Sequence, residues 1–174
     1  MKTIRNKVFE TNSSSMHTIT FNTITPGNKD NYVIEVGCDG EYGWGPVGEA
    51  LVTPEQLLDY ALIAYADICP DKDECERVLE EVKRVFATHG VTVNYKLDAE
   101  CNQHAIWFEV DPWDRGDSSK LPTAHVSGYI DHQSAPHESD DCMYLAKMVR
   151  DDPEELYGFV FGGGEVILDN DNHD

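Results

Sequence analysis

Two helices written back to back in the middle of the chain, with two-residue periodicity on both sides, constrain this sequence more than any other feature. Thr53-Pro54-Glu55-Gln56 is a complete helix start. Thr53 can cap, Pro54 sits where no N–H is needed, and Gln56 can reach back to close a capping box. That helix is expected to run to about Ile68. Asp71 then caps a second helix with Glu74 three residues on, and Cys75, Val78, Leu79, Val82, Val85 and Phe86 form its apolar stripe. Gly90 is placed to end it in a left-handed conformation. An all-β fold is therefore excluded.

The flanking segments exclude an all-α fold. Ile19 and Phe21 alternate with Thr18 and Thr20, and Tyr32 to Val36 reads as a second strand; Pro26-Gly27-Asn28 between them predicts a hairpin. Val91, Val93, Tyr95 and Leu97 alternate with polar residues, and Ile106 to Val110 follows, so an antiparallel pair joined near residues 99–102 is expected. Gly37 to Gly48 and residues 111–124 read as loops, and Val126 to Ile130 as a short strand. A helix over Cys142 to Val149, a second one capped by Asp152-Pro153-Glu154-Glu155 and running to Phe161, and a last strand over Glu165 to Leu168 complete the pattern. The class expected is α+β: a single domain, residues 1–174, of mostly antiparallel sheet packed against three to four helices.

Charge narrows the function classes. The chain has 174 residues with 33 acidic against 13 basic, a formal net charge of −20. A body of that sign repels polyanions, which argues against direct binding of nucleic acid through Lys and Arg. The acid is not a tail. Residues 1–30 hold four cations against two carboxylates, so the remainder carries −22, spread over the rest of the chain. The exposed acids expected to matter are Asp111, Asp114 and Asp117 in one loop, and Asp140, Asp141, Asp151, Asp152, Glu154 and Glu155 around the last two helices.

The N-terminal residues MKTIRNKVFETN contain no apolar secretory core, and the longest apolar run, Ala61 to Ala66, is too short to span a bilayer. A cytoplasmic protein without membrane contact is expected. Five scattered cysteines without a CxxC fit reduced thiols. Cys69 and Cys75, on either side of a helix start, read as two small apolar residues.

Three polar clusters could carry chemistry. In Glu10 to His17, the hydroxyls and backbone N–H groups could cradle an anion, or His17 could activate a serine such as Ser14 as a nucleophile; a polar turn bonding its own backbone competes with both. In Tyr129 to Ser134, Asp131 could orient His132, or both could join a metal site. At the C-terminus, Asp169-Asn170-Asp171-Asn172 resembles the opening of a calcium loop, but the sequence ends before that loop's glycine and its twelfth-position acid. His132, His137, Asp169 and Asp171 are the candidate metal ligands. No motif calls for a cofactor, and a divalent metal is the one exception the residues leave open. GxxxxGK[ST], GxSxG and HExxH do not occur.

Val8-Phe9-Glu10-Thr11-Asn12-Ser13-Ser14-Ser15-Met16-His17, with Ile130-Asp131-His132-Gln133-Ser134 and Asp169-Asn170-Asp171-Asn172, resembles a set of small proteins of phages and mobile elements of Gram-positive bacteria. The resemblance implies such an origin and groups the three polar segments, which would form one site if they meet in space; it assigns no catalytic residue. Two functions compete. One is a counter-defence inhibitor of anti-CRISPR type, acting in the host cytosol on a basic nucleic-acid-binding protein or ribonucleoprotein through its acidic surface, since Lys and Arg that neutralise phosphate also pair with carboxylates. The other is a small hydrolase, nuclease or metal- or ligand-binding protein built on Ser14, His17, Asp131 and His132. Inhibition without catalysis ranks first.

Overall fold

The computed structural model describes residues 15–21, 26–43, 49–98, 103–110, 121–131 and 134–170, with backbone alone at 15–16, 97–98, 103–104 and 169–170. Among the described residues, elements follow in the order β1 (Ser15–Thr20), β2 (Tyr32–Val36), β3 (Glu41–Tyr42), β4 (Glu49–Leu51), α1 (Pro54–Ile68), α2 (Lys72–Thr88), β5 (Val91–Tyr95), β6 (Leu97–Asp98), β7 (Gln103–His104), β8 (Trp107–Glu109), β9 (Thr123–His125), β10 (Tyr129–Ile130), α3 (Asp140–Asp151), α4 (Pro153–Phe161) and β11 (Glu165–Asn170). The class is α+β, with four helices and mostly antiparallel sheets. None of these helices is long and apolar enough to cross a membrane.

The helix starts form as their chemistry dictates. Thr53 accepts from the Gln56 backbone while the Gln56 side chain reaches back to Thr53, Asp71 caps α2 through Glu74 N–H, and Asp152 caps α4 through Glu155 N–H. Ser139 caps α3 in the same way. Helix α1 is the centre of the core: its ten consecutive residues from Leu57 to Ala66 are all buried. It packs on α3, α4 and β2, and a helix covered on all sides has no polar stripe to spare. Helix α2, by contrast, buries only Cys75, Val78, Val82, Val85 and Phe86 and turns its charged face outward.

Strand pairing departs from the sequence expectation in two places. Strands β1 and β2 do not form a hairpin. β1 pairs antiparallel with β11, which also pairs with β4, and β2 runs parallel to β5. The Pro26-Gly27-Asn28 reversal instead docks the chain onto the end of α2, where Lys29 N–H donates to His89 carbonyl and Tyr32 N–H to Gly90 carbonyl, while Tyr157 hydroxyl donates to Gly27 carbonyl. Gly90, at φ 78°, lets this contact form, because a Cβ there would sit 1.7 Å from Lys29 carbonyl oxygen.

The second departure follows from the first. With β2 occupying the side of β5, the antiparallel pairing expected across residues 99–102 is confined to β6 and β7, and β8 pairs with β9. The region expected as one short strand over 126–130 holds a bend at Ser127 and Gly128, after the end of β9, and then the two-residue β10. β10 pairs parallel with β3, inside the stretch expected to be loop.

Candidate functional site

Strand β1 turns His17 and Ile19 inward, and His17 is therefore the one buried imidazole among the described residues, 8% exposed. Its backbone N–H donates to Ser134 Oγ at 3.1 Å, and its Nδ1 lies 3.0 Å from the hydroxyl of Tyr60, a wholly buried α1 residue. Tyr60 hydroxyl is in turn 4.0 Å from Cys142 Sγ in the first turn of α3. Asp131, 7% exposed, closes the group: its N–H donates to Tyr42 carbonyl at 2.9 Å and its carbonyl accepts from Ser134 N–H at 2.8 Å.

Burial disfavours the imidazolium and lowers the His17 pKa to about 4; the charge of Asp131 opposes the shift but does not reverse it. His17 is therefore neutral near pH 7. Its Nε2 is buried and finds no hydrogen-bond partner among the described residues.

These contacts bring together segments far apart in sequence. His17 meets Ser134 and the electrostatic reach of Asp131, and in the β1–β11 register Met16 lies opposite Asp169 and Ser15 opposite Asn170. Among the described residues, the end of the first cluster thus runs beside the start of the third, and Ser134 of the second is bonded to His17. The side chain of Asp169 is outside the described atoms, and Ser14, His132 and Asp171 lie outside the described residues, as do Asp111, Asp114 and Asp117. His137 is exposed, with Nδ1 3.2 Å from Asp67 Oδ2. Among the described residues, no three His, Cys, Asp or Glu side chains gather in an arrangement that could hold a metal ion.

No family model matches this chain, and no curated protein or solved structure is significantly similar to it. Its own residues therefore carry the functional argument.

One buried carboxylate escaped the sequence reading. Asp59 accepts from Cys38 N–H at 2.7 Å, Gly40 N–H at 3.1 Å and Tyr42 hydroxyl at 3.0 Å, so it fixes the turn leading into β3. Burial raises its pKa while these three donors pull it back. The signal was present: Asp59 is the one charge inside the apolar run from Leu57 to Ala66.

Paired charges line the outer face of α2 and extend to the end of α3 and the start of α4. On α2, Arg77 pairs with Glu74, Lys83 with Glu80, Arg84 with Glu81 and Lys72 with Glu76. Arg150 pairs with Asp151 at the end of α3. The helices share one surface: Arg150 and Asp151 act electrostatically on Glu74, and Glu154 acts on Arg84. Glu154 also meets His89 at 2.8 Å, Glu155 accepts from Tyr144 hydroxyl at 2.6 Å, and Asp140 and Asp141 occupy the first turn of α3, where the helix dipole favours them. The cations on this face are largely matched by acids within one helical turn.

Proposed function

We propose that this protein is a phage-type counter-defence inhibitor. It acts in the host cytosol by seating the acidic face of α2, α3 and α4 in the basic nucleic-acid channel of a CRISPR effector or restriction-type enzyme. The observation that carries this reading is the charge arrangement of that face. Lys72, Arg77, Lys83, Arg84 and Arg150 are engaged by Glu76, Glu74, Glu80, Glu81 and Asp151, while residues 140–155 alone hold six carboxylates against Lys147 and Arg150. A partner's cations would meet acid with few competing amines. Pairing them releases the counterions that nucleic acid would otherwise displace. No direct nucleic-acid binding and no membrane contact belong to this function.

Charge reversal tests it. Asp151→Lys, Glu154→Lys and Glu155→Lys together, with the Asp152 cap kept, are expected to weaken inhibition of target cleavage at least tenfold while the circular dichroism spectrum stays that of the parent. Undiminished inhibition by the triple variant would refute the reading.

A second reading has its own observation. The buried Nε2 of His17, beside Asp131 and Ser134, is a polar atom with ligand-binding capacity. On that reading the protein hydrolyses or binds a small ligand, and turnover of RNA, DNA or nucleotide must vanish in His17→Gln. Turnover that survives the substitution rules it out.

A further inference from the structure

The two cysteines that flank the joint between α1 and α2, Cys69 and Cys75, lie close to one backbone carbonyl. Cys69 terminates α1 with extended backbone, and Cys75 lies in the first turn of α2. Both residues touch one oxygen: Asp71 carbonyl accepts from Cys75 N–H at 3.1 Å and lies 3.4 Å from Cys69 Sγ. Cys69 Sγ is also 3.3 Å from Tyr65 hydroxyl.

Access differs on the two sides. Cys69 is half-buried at the surface joint between α1 and α2. Cys75 is 2% exposed, yet it lines a cavity of about 570 Å³ walled by Leu79, Tyr95, Ile106 and Trp107, with Lys72 at its edge. A small reagent can thus approach Cys69 from solvent while space remains beside Cys75.

We propose that Cys69 and Cys75 form a reversible dithiol–disulfide site whose substrates are low-molecular-weight disulfides of the glutathione type. The roles follow from the surroundings. Hydrogen bonds from Cys75 and Tyr65 and at the Asp71 backbone outweigh burial and the Asp71 charge, and lower the Cys69 pKa to about 7. The Cys75 thiol is pushed far up, by its bond to Cys69 first and then by burial. Cys69 is the attacking thiolate and Cys75 the resolving thiol.

The reaction has two exchanges. Cys69 thiolate attacks one sulfur of the small disulfide, forming a mixed disulfide and expelling one small thiolate. Cys75 passes its proton to that thiolate and attacks Cys69 Sγ, which releases the second small thiol after protonation. Two protein thiols are oxidised, one small disulfide is reduced to two thiols, and the new bond ties the end of α1 to the first turn of α2.

Glutathione disulfide is the probe, with free thiols then blocked by N-ethylmaleimide and peptides mapped by mass spectrometry. Wild type is expected to yield a Cys69–Cys75 disulfide. Cys75→Ala is expected to hold glutathione on Cys69, and Cys69→Ala to leave Cys75 unmodified, both with parental circular dichroism. At pH 7 Cys69 should react about threefold faster than an unperturbed thiol, because its larger thiolate fraction outweighs its lower intrinsic nucleophilicity. Recovery of both cysteines as maleimide adducts from wild type, under conditions that glutathionylate a free cysteine peptide, would overturn the proposal whatever the variants do.

Discussion

The imidazole of His17 is held 3.0 Å from the hydroxyl of Tyr60, both side chains buried, and this contact ties β1 to α1. The pKa of about 4 has a direct consequence for stability. The unfolded chain takes up a proton near pH 6.5, whereas the folded chain resists doing so until about pH 4. Stability from His17 is therefore complete above pH 6.5 and is lost as pH falls towards 4, by about 3 kcal/mol in all. Urea titrations of wild type and His17→Gln between pH 7.5 and 4.5 measure it. The wild-type curve should fall more steeply across that window, since carboxylates titrate in both proteins and cancel in the difference. Parallel curves would show that His17 is not buried neutral.

The Asp59 carboxylate is expected to be worth more than its chain position suggests. Asp59→Ala strands Cys38 N–H and Gly40 N–H and leaves Tyr42 hydroxyl only its 3.5 Å contact with Gln56 carbonyl. A cost of about 3 kcal/mol follows, from leaving buried donors unpaired. Tyr42→Phe removes one donor and should cost about 1 kcal/mol. Denaturant midpoints of the two single variants and the double variant give the coupling, which should be at least about 0.5 kcal/mol. Strict additivity would mean that Asp59 and Tyr42 do not share this bond in solution.

Gly90→Ala combines a backbone penalty with a collision. The φ of 78° disfavours any side chain, and the added methyl would meet Lys29 carbonyl at 1.7 Å. A loss of at least about 2 kcal/mol is expected in thermal or urea unfolding. Asn at this position tolerates the φ but meets the same carbonyl, so Gly90→Asn should not restore stability. A neutral Gly90→Ala would place the 26–32 segment elsewhere.

What was legible in the sequence was local. Thr53, Asp71 and Asp152 announce helix starts because a cap is satisfied within three residues, and Gly90 announces an ending because few other residues adopt its φ. Strand partners were not legible. Pro26-Gly27-Asn28 specifies a reversal but not its neighbour, and the bonds to His89 and Gly90 that decide the pairing of β2 lie some sixty residues away. The same limit applies to the polar core. His17 and Asp131 drew notice as residue types, but Tyr60 and Asp59 were hidden inside a helical apolar run, and only the fold shows what they touch. The spacing of Cys69 and Cys75 matches no familiar motif, and only the joint between α1 and α2 shows that both meet the Asp71 carbonyl.

If the charged face of α2, α3 and α4 occupies a channel built for nucleic acid, as proposed, it competes with nucleic acid for that channel. Binding to a CRISPR effector ribonucleoprotein or a restriction endonuclease that the protein inhibits would be followed with and without saturating target DNA, across a salt series. Binding is expected to be mutually exclusive with DNA, with affinity falling steeply and log-linearly with salt. Equal affinity for the DNA-bound and DNA-free enzyme, unmoved by salt, would contradict it.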